Sequence, residues 1–277
     1  MTRDELEIAV EWARLEGWNP GLHDADVFWQ TDPDGFLALE RDGEMIGSGS
    51  TVSYDGEFGF MGFFIIRADL RNEGLGRDLW IARRDKLLSR LKPQAAIGMD
   101  GVFSMQPFYA KGGFKFSHRN LRMQTTGQYL DYDKSCVLPF SEKDFSDIEQ
   151  FDRRCFGFAR NRFLRSWLLM PESTTFIYRR STEFLGFGTI RRCHSGWKIG
   201  PLFAKSPEVA NQLFRALNTV AVGEPVFLDT PEVNENAIEL ASQHKMTECF
   251  GCARMYYGSP PNLAYNEIYG VTTFELG

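Results

Sequence analysis

The chain has 277 residues, a formal net charge of −6, 43% hydrophobic residues and 25% charged residues. This composition is typical of a folded globular protein, and the acidic balance argues against a general binder of nucleic acid or anionic membranes. No stretch reaches the ~18 apolar residues of a membrane-spanning helix, and the N-terminus lacks the pattern of a signal peptide. Because the five cysteines lack the spacing of a disulfide framework, we expect a cytoplasmic protein with reduced thiols.

The first half alternates helical and strand patterns. In chain order, the predicted elements are a helix at 5–16, strands at 35–40, 44–54 and 59–67, a helix at 75–91, a strand at 95–100, a helix at 105–113 and a strand at 114–125. The strand at 59–67 is almost entirely apolar, as expected for a strand buried on both faces. On the helix at 75–91, Arg83, Lys86 and Arg90 fall on one charged face. These patterns predict an α/β domain.

The second half repeats the order of the first. Three pairs of segments match at a nearly constant offset: EMIGSGSTV from Glu44 with EFLGFGTIR from Glu183, MGFFIIR from Met61 with IGPLFAK from Ile199, and AIGMDG from Ala96 with VFLDTP from Val226. Chance similarity between short apolar strands is the alternative explanation. A polar, turn-rich segment at 125–135 separates the two halves. We therefore predict a duplicated α/β unit with domains at 1–128 and 136–277.

The segment LRNEGLGRDLW, residues 70–80, places Gly74 and Gly76 between the apolar strand and the long helix. It lacks the third glycine of a dinucleotide-binding fingerprint and the Lys-Ser/Thr pair of a Walker A loop. Free N–H groups at a helix N-terminus attract anions, and glycine lets a phosphate approach the backbone. Since Arg71 and Arg77 add positive charge, the segment favours a phosphate site, with a tight strand-to-helix turn as the alternative.

Two motifs of the first half carry a family resemblance. The pattern Arg71-x-x-Gly74-x-Gly76 after a buried strand resembles the acetyl-CoA loop of the GNAT superfamily of N-acetyltransferases. FYAKGGF, residues 108–114, resembles the second signature of that family, with one helix and one strand between the motifs as in its members. The whole chain resembles a tandem form with a degenerate C-terminal domain. This resemblance implies two GNAT-like domains, each a mixed, mostly antiparallel twisted sheet flanked by helices.

The resemblance also implies acetyl-CoA as the co-substrate and assigns residues to it. Tyr109 would protonate the departing thiolate, with a buried core tyrosine as the alternative role. Asn72 stands where the family often has Gly, and Ala68 where it often has Pro, but neither change removes an N–H donor. The residues implied to bind the pyrophosphate are Asn72, Glu73, Gly74, Leu75, Gly76 and Arg77. The pantetheine arm is implied to bind to main-chain groups of Phe64, Ile65 and Ile66.

The second half carries AKSPEVANQLF in place of the glycine loop, so that Gln212 and Phe214 stand at the glycine positions. Ser206 and Pro207 are typical of the N-cap and first residue of an ordinary helix. We therefore predict that this half does not bind CoA. It either helps to build the acceptor pocket or covers the open face of the first domain.

An amine must be neutral when it attacks a thioester, so the site needs a base, usually a carboxylate. Glu16 and Asp24, on either side of the GWNPG loop, and Asp100 at a strand end are the candidates. We predict Asp24 as the base, with a helix cap or a solvated loop acid as its alternative roles. Trp18 and Asn19 are predicted to line the acceptor site, although a tryptophan in this position is also typical of packing.

The predicted reaction is transfer of an acetyl group from acetyl-CoA to a small-molecule primary amine by direct attack. A covalent acyl-cysteine route is disfavoured because the motif-bearing half has no cysteine before Cys136. The alternatives are a non-catalytic acyl-CoA-binding sensor and a structural α/β module. No metal site is predicted, because the CFGC segment at 249–252 lacks a second cysteine pair.

Overall fold

The computed structural model describes all 277 residues. Its α-helices are α1 (Arg3–Leu15), α2 (Asp24–Thr31), α3 (Leu75–Arg90), α4 (Gln106–Lys111), α5 (Phe145–Phe156), α6 (Asn161–Leu168), α7 (Pro207–Asn218) and α8 (Glu235–Gln243). Its strands are β1 (Phe36–Arg41), β2 (Glu44–Ser50), β3 (Val52–Tyr54), β4 (Phe58–Met61), β5 (Ile65–Ile66), β6 (Ala96–Val102), β7 (Lys115–Thr126), β8 (Val137–Pro139), β9 (Ser173–Arg180), β10 (Glu183–Arg192), β11 (Trp197–Ala204), β12 (Pro225–Pro231), β13 (Thr247–Tyr257) and β14 (Ile268–Gly270). None of the helices is both long and apolar enough to cross a bilayer.

Eleven of the strands form one continuous sheet in the order β3-β4-β6-β13-β7-β12-β11-β10-β9-β8, with β14 paired to β11. A smaller sheet has the order β1-β2-β5. Only the pairs β4·β6 and β11·β12 are parallel, and every other pair of strands is antiparallel. The predicted α/β class with mixed, mostly antiparallel sheets is confirmed.

The repeated sequence segments occupy equivalent places in the two halves. β2 and β10 are each the second strand of an antiparallel hairpin, and β6 and β12 are each the parallel partner that follows helix α3 or α7. The largest hydrophobic cluster contains side chains of both halves, among them Phe28 and Trp167, whose rings stack with centroids 6.4 Å apart. Burial of this shared cluster stabilises the contact between the halves.

The two halves exchange a strand at the centre of the sheet. β13 of the second half lies between β6 and β7, with Ala253 opposite Gly101 and Cys252 opposite Asn120. β7 of the first half in turn pairs with β12. The segment between residues 128 and 136 therefore separates the halves along the chain but does not divide the sheet, and the predicted domain limits remain a prediction.

The apolar run at 59–67 is two strands rather than the one predicted. β4 ends at Met61 and β5 begins at Ile65, and between them Phe63 has a positive φ of 48°. A Cβ at Gly62 would collide with the carbonyl oxygen of Glu275, so only glycine fits there. We refer to residues 62–64 as the break. Because β5 joins the small sheet while β4 stays in the large one, a gap opens between β5 and β6.

The last residues of the chain, 271–277, form a buried C-terminal segment that packs against the first half. The Tyr54 hydroxyl donates a hydrogen bond of 2.7 Å to the Leu276 carbonyl. Arg160 donates to the Gly277 oxygen at 2.7 Å and to the Thr272 hydroxyl at 2.8 Å, while its guanidinium pairs with Asp152. The second half thus reaches the break of the first half through this segment.

Two local predictions need correction. Residues 24–31 form α2, although the sequence pattern predicted no element there. In the second half, the predicted N-cap Ser206 and first helical residue Pro207 are confirmed, with the Ser206 hydroxyl accepting from the Val209 N–H, but the alignment of Gln212 with a loop glycine is wrong. Gln212 therefore lies within a helix and not at a strand-to-helix junction.

Candidate active site

A cavity of about 540 Å³ occupies the gap between β5 and β6. Its mouth is formed by the glycine loop before α3, and its walls by the break, the end of β6 and helix α4. Residues of β13 and of the C-terminal segment close the far side. Both halves of the chain therefore build one cavity.

The glycine loop presents a row of free N–H groups to the cavity mouth. None of the backbone N–H groups of residues 72–76 donates a hydrogen bond within the chain. Asn72 and Gly74 have positive φ angles of 71° and 85°, and the 16-residue helix α3 begins immediately afterwards. Free amides at the positive end of a helix dipole form an anion-binding site.

Packing does not account for the glycine at position 76. A Cβ added there would be 3.5 Å from the Phe64 Cζ atom, which is an ordinary contact, and the backbone has no positive φ. At Gly74 a Cβ would meet nothing within 4 Å, although the positive φ favours glycine. The turn alternative thus explains Gly74 but not Gly76, whose bare backbone leaves room for a ligand.

Two arginines flank the loop. Arg71 donates to the Ile66 carbonyl at 2.9 Å and pairs with Glu16, so it ties the loop to β5 and α1. Arg77 is exposed at the cavity mouth. The positive charge expected beside the loop is present, and Arg71 also holds the loop in position.

Free main-chain groups continue from the loop into the cavity. β5 pairs with β2 on one edge only, with Gly47 opposite Ile66 and Ser48 opposite Ile65, and its other edge faces the cavity. At the break, the N–H groups of Phe63 and Phe64 donate no hydrogen bond within the chain. These donors can bind polar groups of an extended ligand or stabilise a developing oxyanion.

Tyr109 of α4 lies in the cavity wall beside β6. A Cβ at Gly101 would collide with the Tyr109 ring, so the glycine makes room for it. The hydroxyl makes no hydrogen bond within the chain, and burial raises the pKa of Tyr109 to about 12. The phenol therefore stays protonated at neutral pH and is available as a proton donor.

Arg83 of α3 is a cavity residue that the sequence pattern assigned to a charged, solvated helix face. It is fully buried, and its Nη2 donates to the Ser50 carbonyl at 3.0 Å and the Gly62 carbonyl at 2.7 Å. No carboxylate pairs with it, and burial lowers its pKa to about 10. Arg83 therefore binds the carbonyls of Ser50 on β2 and of Gly62 in the break, and it places a positive charge beside Tyr109. The missing side chain at Gly49 makes room for its guanidinium.

The second half contributes side chains to the cavity. Phe250 and Cys252 come from β13, and Phe274 and Glu275 from the C-terminal segment. Of the two roles left open for this half, building the pocket is the one that the geometry supports. The exchange also brings a thiol to the cavity, which the sequence argument against an acyl-cysteine route did not foresee. Burial raises the pKa of Cys252 well above its usual range, so the thiolate nucleophile is disfavoured.

The predicted acceptor loop lies beside the cavity, held by the second half. Trp18 lines the cavity, and its carbonyl accepts from Arg122 Nη1 at 2.6 Å. The Asn19 carbonyl accepts from the buried Lys198 ammonium at 2.8 Å. The Asn19 side chain, however, bonds to the backbone of Ser195 and does not reach the cavity, so its predicted contact with an acceptor is not made.

Asp24 has a different role from the one predicted. It is the first residue of α2, is fully buried and does not line the cavity. Its carboxylate accepts from Arg191 Nε at 2.8 Å, Arg191 Nη2 at 3.0 Å and the Gly21 N–H at 2.8 Å. Asp24 is thus an ion-pair partner that joins the two halves, rather than the predicted general base.

The other two carboxylates considered for the base do line the cavity but are occupied. Asp100 accepts from Arg254 through both oxygens and from Asn120 Nδ2, and Glu16 pairs with Arg71. The cysteines are all free thiols, and no group of three potential ligands is arranged around a metal position.

Two family models match the chain, one on each half. The acetyltransferase (GNAT) family matches residues 4–114, and an acetyltransferase (GNAT) domain matches residues 148–270. The chain belongs to the GNAT superfamily and carries two GNAT domains in tandem. The GNAT loop and the tyrosine signature recognised in the sequence both fall in or at the end of the first match.

Similar proteins support the tandem arrangement over the full chain. Holothin acyltransferase of Pseudoalteromonas sp. is 28% identical over 99% of this chain and 92% of its own length. The uncharacterised N-acetyltransferase YitH of Bacillus subtilis is 25% identical over 83% of this chain and 82% of its own. The protein is therefore an acyltransferase of the GNAT superfamily.

Solved structures show the same fold. A candidate acetyltransferase from Pyrococcus horikoshii superposes with a TM-score of 0.84 and 21% identity, covering 100% of this chain and 94% of its own. A tandem GNAT protein from the clavulanic acid biosynthesis pathway superposes with a TM-score of 0.63 and 10% identity, covering 95% and 98%. At these identities the likeness concerns the fold alone.

Proposed function

We propose that this GNAT protein transfers the acetyl group of acetyl-CoA to a small-molecule primary amine. The observation that carries the proposal is a single cavity that joins the free amides of the glycine loop, the free amides of the break and the Tyr109 hydroxyl. A phosphate site can bind the CoA pyrophosphate, an oxyanion site can stabilise the charge that develops on the thioester oxygen, and a proton donor can protonate the departing thiolate.

In the proposed complex, acetyl-CoA supplies an activated thioester. The free N–H groups of residues 72–76 bind its pyrophosphate, and the Arg77 side chain adds positive charge at the mouth. The open edge of β5, together with Phe64, hydrogen-bonds the pantetheine arm. The amides of Phe63 and Phe64 stabilise the negative charge that develops on the thioester oxygen.

Tyr109 completes the proposed reaction as the general acid. The amine attacks the thioester carbon directly, the C–S bond breaks, and the Tyr109 hydroxyl gives its proton to the departing sulfur. Arg83 lies close enough to influence the ionisation of Tyr109, so its positive charge favours loss of that proton.

Two observations favour a small molecule as the acceptor: the volume of the cavity and the name of a relative that matches the chain. The space of about 540 Å³ lies within the range of small-molecule sites. The relative that covers almost the whole chain is named for acyl transfer to holothin. Both observations support a small molecule as the acceptor, and acetyl is the simplest acyl group consistent with the family.

Two measurements test the proposal. Acetyl-CoA at a hundredfold excess over its dissociation constant is expected to stabilise the protein by about 2.7 kcal/mol in thermal unfolding. A thiol-release assay with acetyl-CoA and a panel of primary amines is then expected to show amine-dependent formation of free CoA. Stabilisation without amine-dependent release would instead indicate an acyl-CoA-binding sensor.

A further inference from the structure

The C-terminal segment contributes to the cavity one acidic residue whose carboxylate has no cationic partner. Three carboxylate side chains line it, and those of Glu16 and Asp100 are held by arginines. Glu275 has no cationic partner within salt-bridge distance. Its Oε2 accepts from the Thr273 hydroxyl, and its Oε1 accepts no hydrogen bond within the chain.

Glu275 also lies beside the break. Its carbonyl oxygen packs so closely against Gly62 that a Cβ at that position would collide with it. The free N–H groups of the next two residues, Phe63 and Phe64, belong to the same turn of backbone. The main chain of Glu275 therefore touches the break, where the thioester of the proposed complex would lie.

The walls around Glu275 are aromatic. Phe250 and Phe274 have ring centroids 6.3 Å apart, and the Arg122 guanidinium lies 5.3 Å and 5.0 Å from them. Trp18 closes the same side of the cavity. Because Arg122 is paired with Asp229, these walls offer an acceptor flat apolar surface and no free charge.

We infer that Glu275 is the general base of the reaction and that the acceptor is a flat, apolar primary amine bound against Trp18, Phe250 and Phe274. This inference rests on the proposed function. As the N–C bond forms and the C–S bond breaks, Glu275 Oε1 takes the proton that leaves the nitrogen and Tyr109 gives one to the sulfur. Return of the proton from Glu275 to Tyr109 through solvent completes the cycle, and the products are the amide and CoA.

The charged groups around the acceptor site predict which amines the cavity accepts. A polyamine would need several free carboxylates, and the cavity offers one. The carboxylate of an amino acid would need a free cation at the acceptor end. The two arginines whose charges act on Glu275, Arg122 and Arg191, are paired with Asp229 and Asp24. The unpaired Arg83 lies at the break beside Tyr109.

The test compares Glu275→Gln with Glu267→Gln in the full chain. Glu267 is a carboxylate of the same part of the second half that pairs with Arg154 away from the cavity. Thiol release is measured with aniline, benzylamine, glycine and spermidine across a pH range. We expect aniline and benzylamine to be better acceptors than glycine and spermidine. Glu275→Gln should lower kcat about 100-fold or more and abolish the acidic limb of the pH profile of kcat. Glu267→Gln should behave as wild type.

Glu275→Gln is expected to keep its thermal shift with acetyl-CoA, which separates catalysis from folding and cofactor binding. If wild-type enzyme acetylates amines but Glu275→Gln retains its kcat and pH profile, or if glycine or spermidine is the better acceptor, the inference is overturned while the proposed function stands. If acetyl-CoA binds and no amine releases thiol, both are overturned.

Discussion

At the residue scale, the structure gathers most of the residues predicted for the cofactor into one cavity, but only Trp18 of those predicted for the acceptor and the base. Gly76 and Tyr109 could be found because each belongs to a local pattern within one half. Arg83 was misplaced because helical periodicity cannot show that Gly49 leaves room for its guanidinium. Asp24 was predicted as the base but is a buried ion-pair partner, and Glu275 was not singled out at all. Both are positioned by contacts between the two halves, which no local pattern contains.

Gly76→Glu tests the phosphate site. The new carboxylate would occupy the space in front of the free amides and repel the pyrophosphate, so we expect the thermal shift with acetyl-CoA to disappear. Gln212→Glu, which adds the same charge within α7 and outside the cavity, is the control and should retain the shift. A retained shift in Gly76→Glu would contradict the assignment of the loop.

Tyr109→Phe tests the proton donor. The ring and its packing against Gly101 remain, and only the hydroxyl is lost, so we expect kcat to fall about 100-fold while affinity for acetyl-CoA changes little. Steady-state thiol release together with a CoA binding titration separates the two effects. An unchanged kcat would remove Tyr109 from the mechanism.

At the scale of secondary-structure elements, the helices and strands of the first half were largely predictable, since their hydrophobic patterns are local. The break at 62–64 was not, because Gly62 and Phe63 adopt their conformation against the C-terminal segment. The loop before α3 and the break are both irregular stretches between regular elements, and they carry most of the free N–H donors of the cavity.

Arg160→Met tests how the C-terminal segment is held. The substitution leaves Asp152 buried without its cation and frees the oxygen of Gly277, so we expect a loss of about 3–5 kcal/mol in the free energy of unfolding. We also expect amine transfer to fall more than acetyl-CoA binding, because Glu275 and Phe274 lie in the same segment. Denaturant unfolding and thiol release measure the two effects, and equal stability of variant and wild type would contradict this account.

At the scale of the whole molecule, the duplication was visible in the sequence but the exchange of strands was not. Segment matches reveal that two halves are alike, whereas pairing of β13 with β6 and β7 depends on which edges meet in space. The predicted tandem of two GNAT-like domains is present, and eleven strands from both of them form one shared sheet beside the three-stranded sheet of the first half.

The shared sheet also carries a titratable group that makes stability depend on pH. Burial and the nearby Arg254 lower the pKa of His118, on β7, from 6.5 to about 3. Because the folded-state pKa lies below the unfolded one, the stabilisation is present above about pH 6.5 and is lost as the pH falls towards 3, by about 1.4 kcal/mol per pH unit. In denaturant unfolding, the free energy of unfolding of His118→Gln should fall less steeply than that of wild type between pH 6.5 and 4.5. An equal dependence on pH in the two proteins would contradict the assignment of this effect to His118.

The position of β13 has a consequence for the order of events during synthesis. β6 and β7 leave the ribosome long before Thr247–Tyr257, and until that strand arrives they expose the two backbone edges between which it inserts. Exposed edges of this kind pair readily with other chains. Until β13 has been synthesised, the nascent first half is therefore open to pairing with other chains along these two edges.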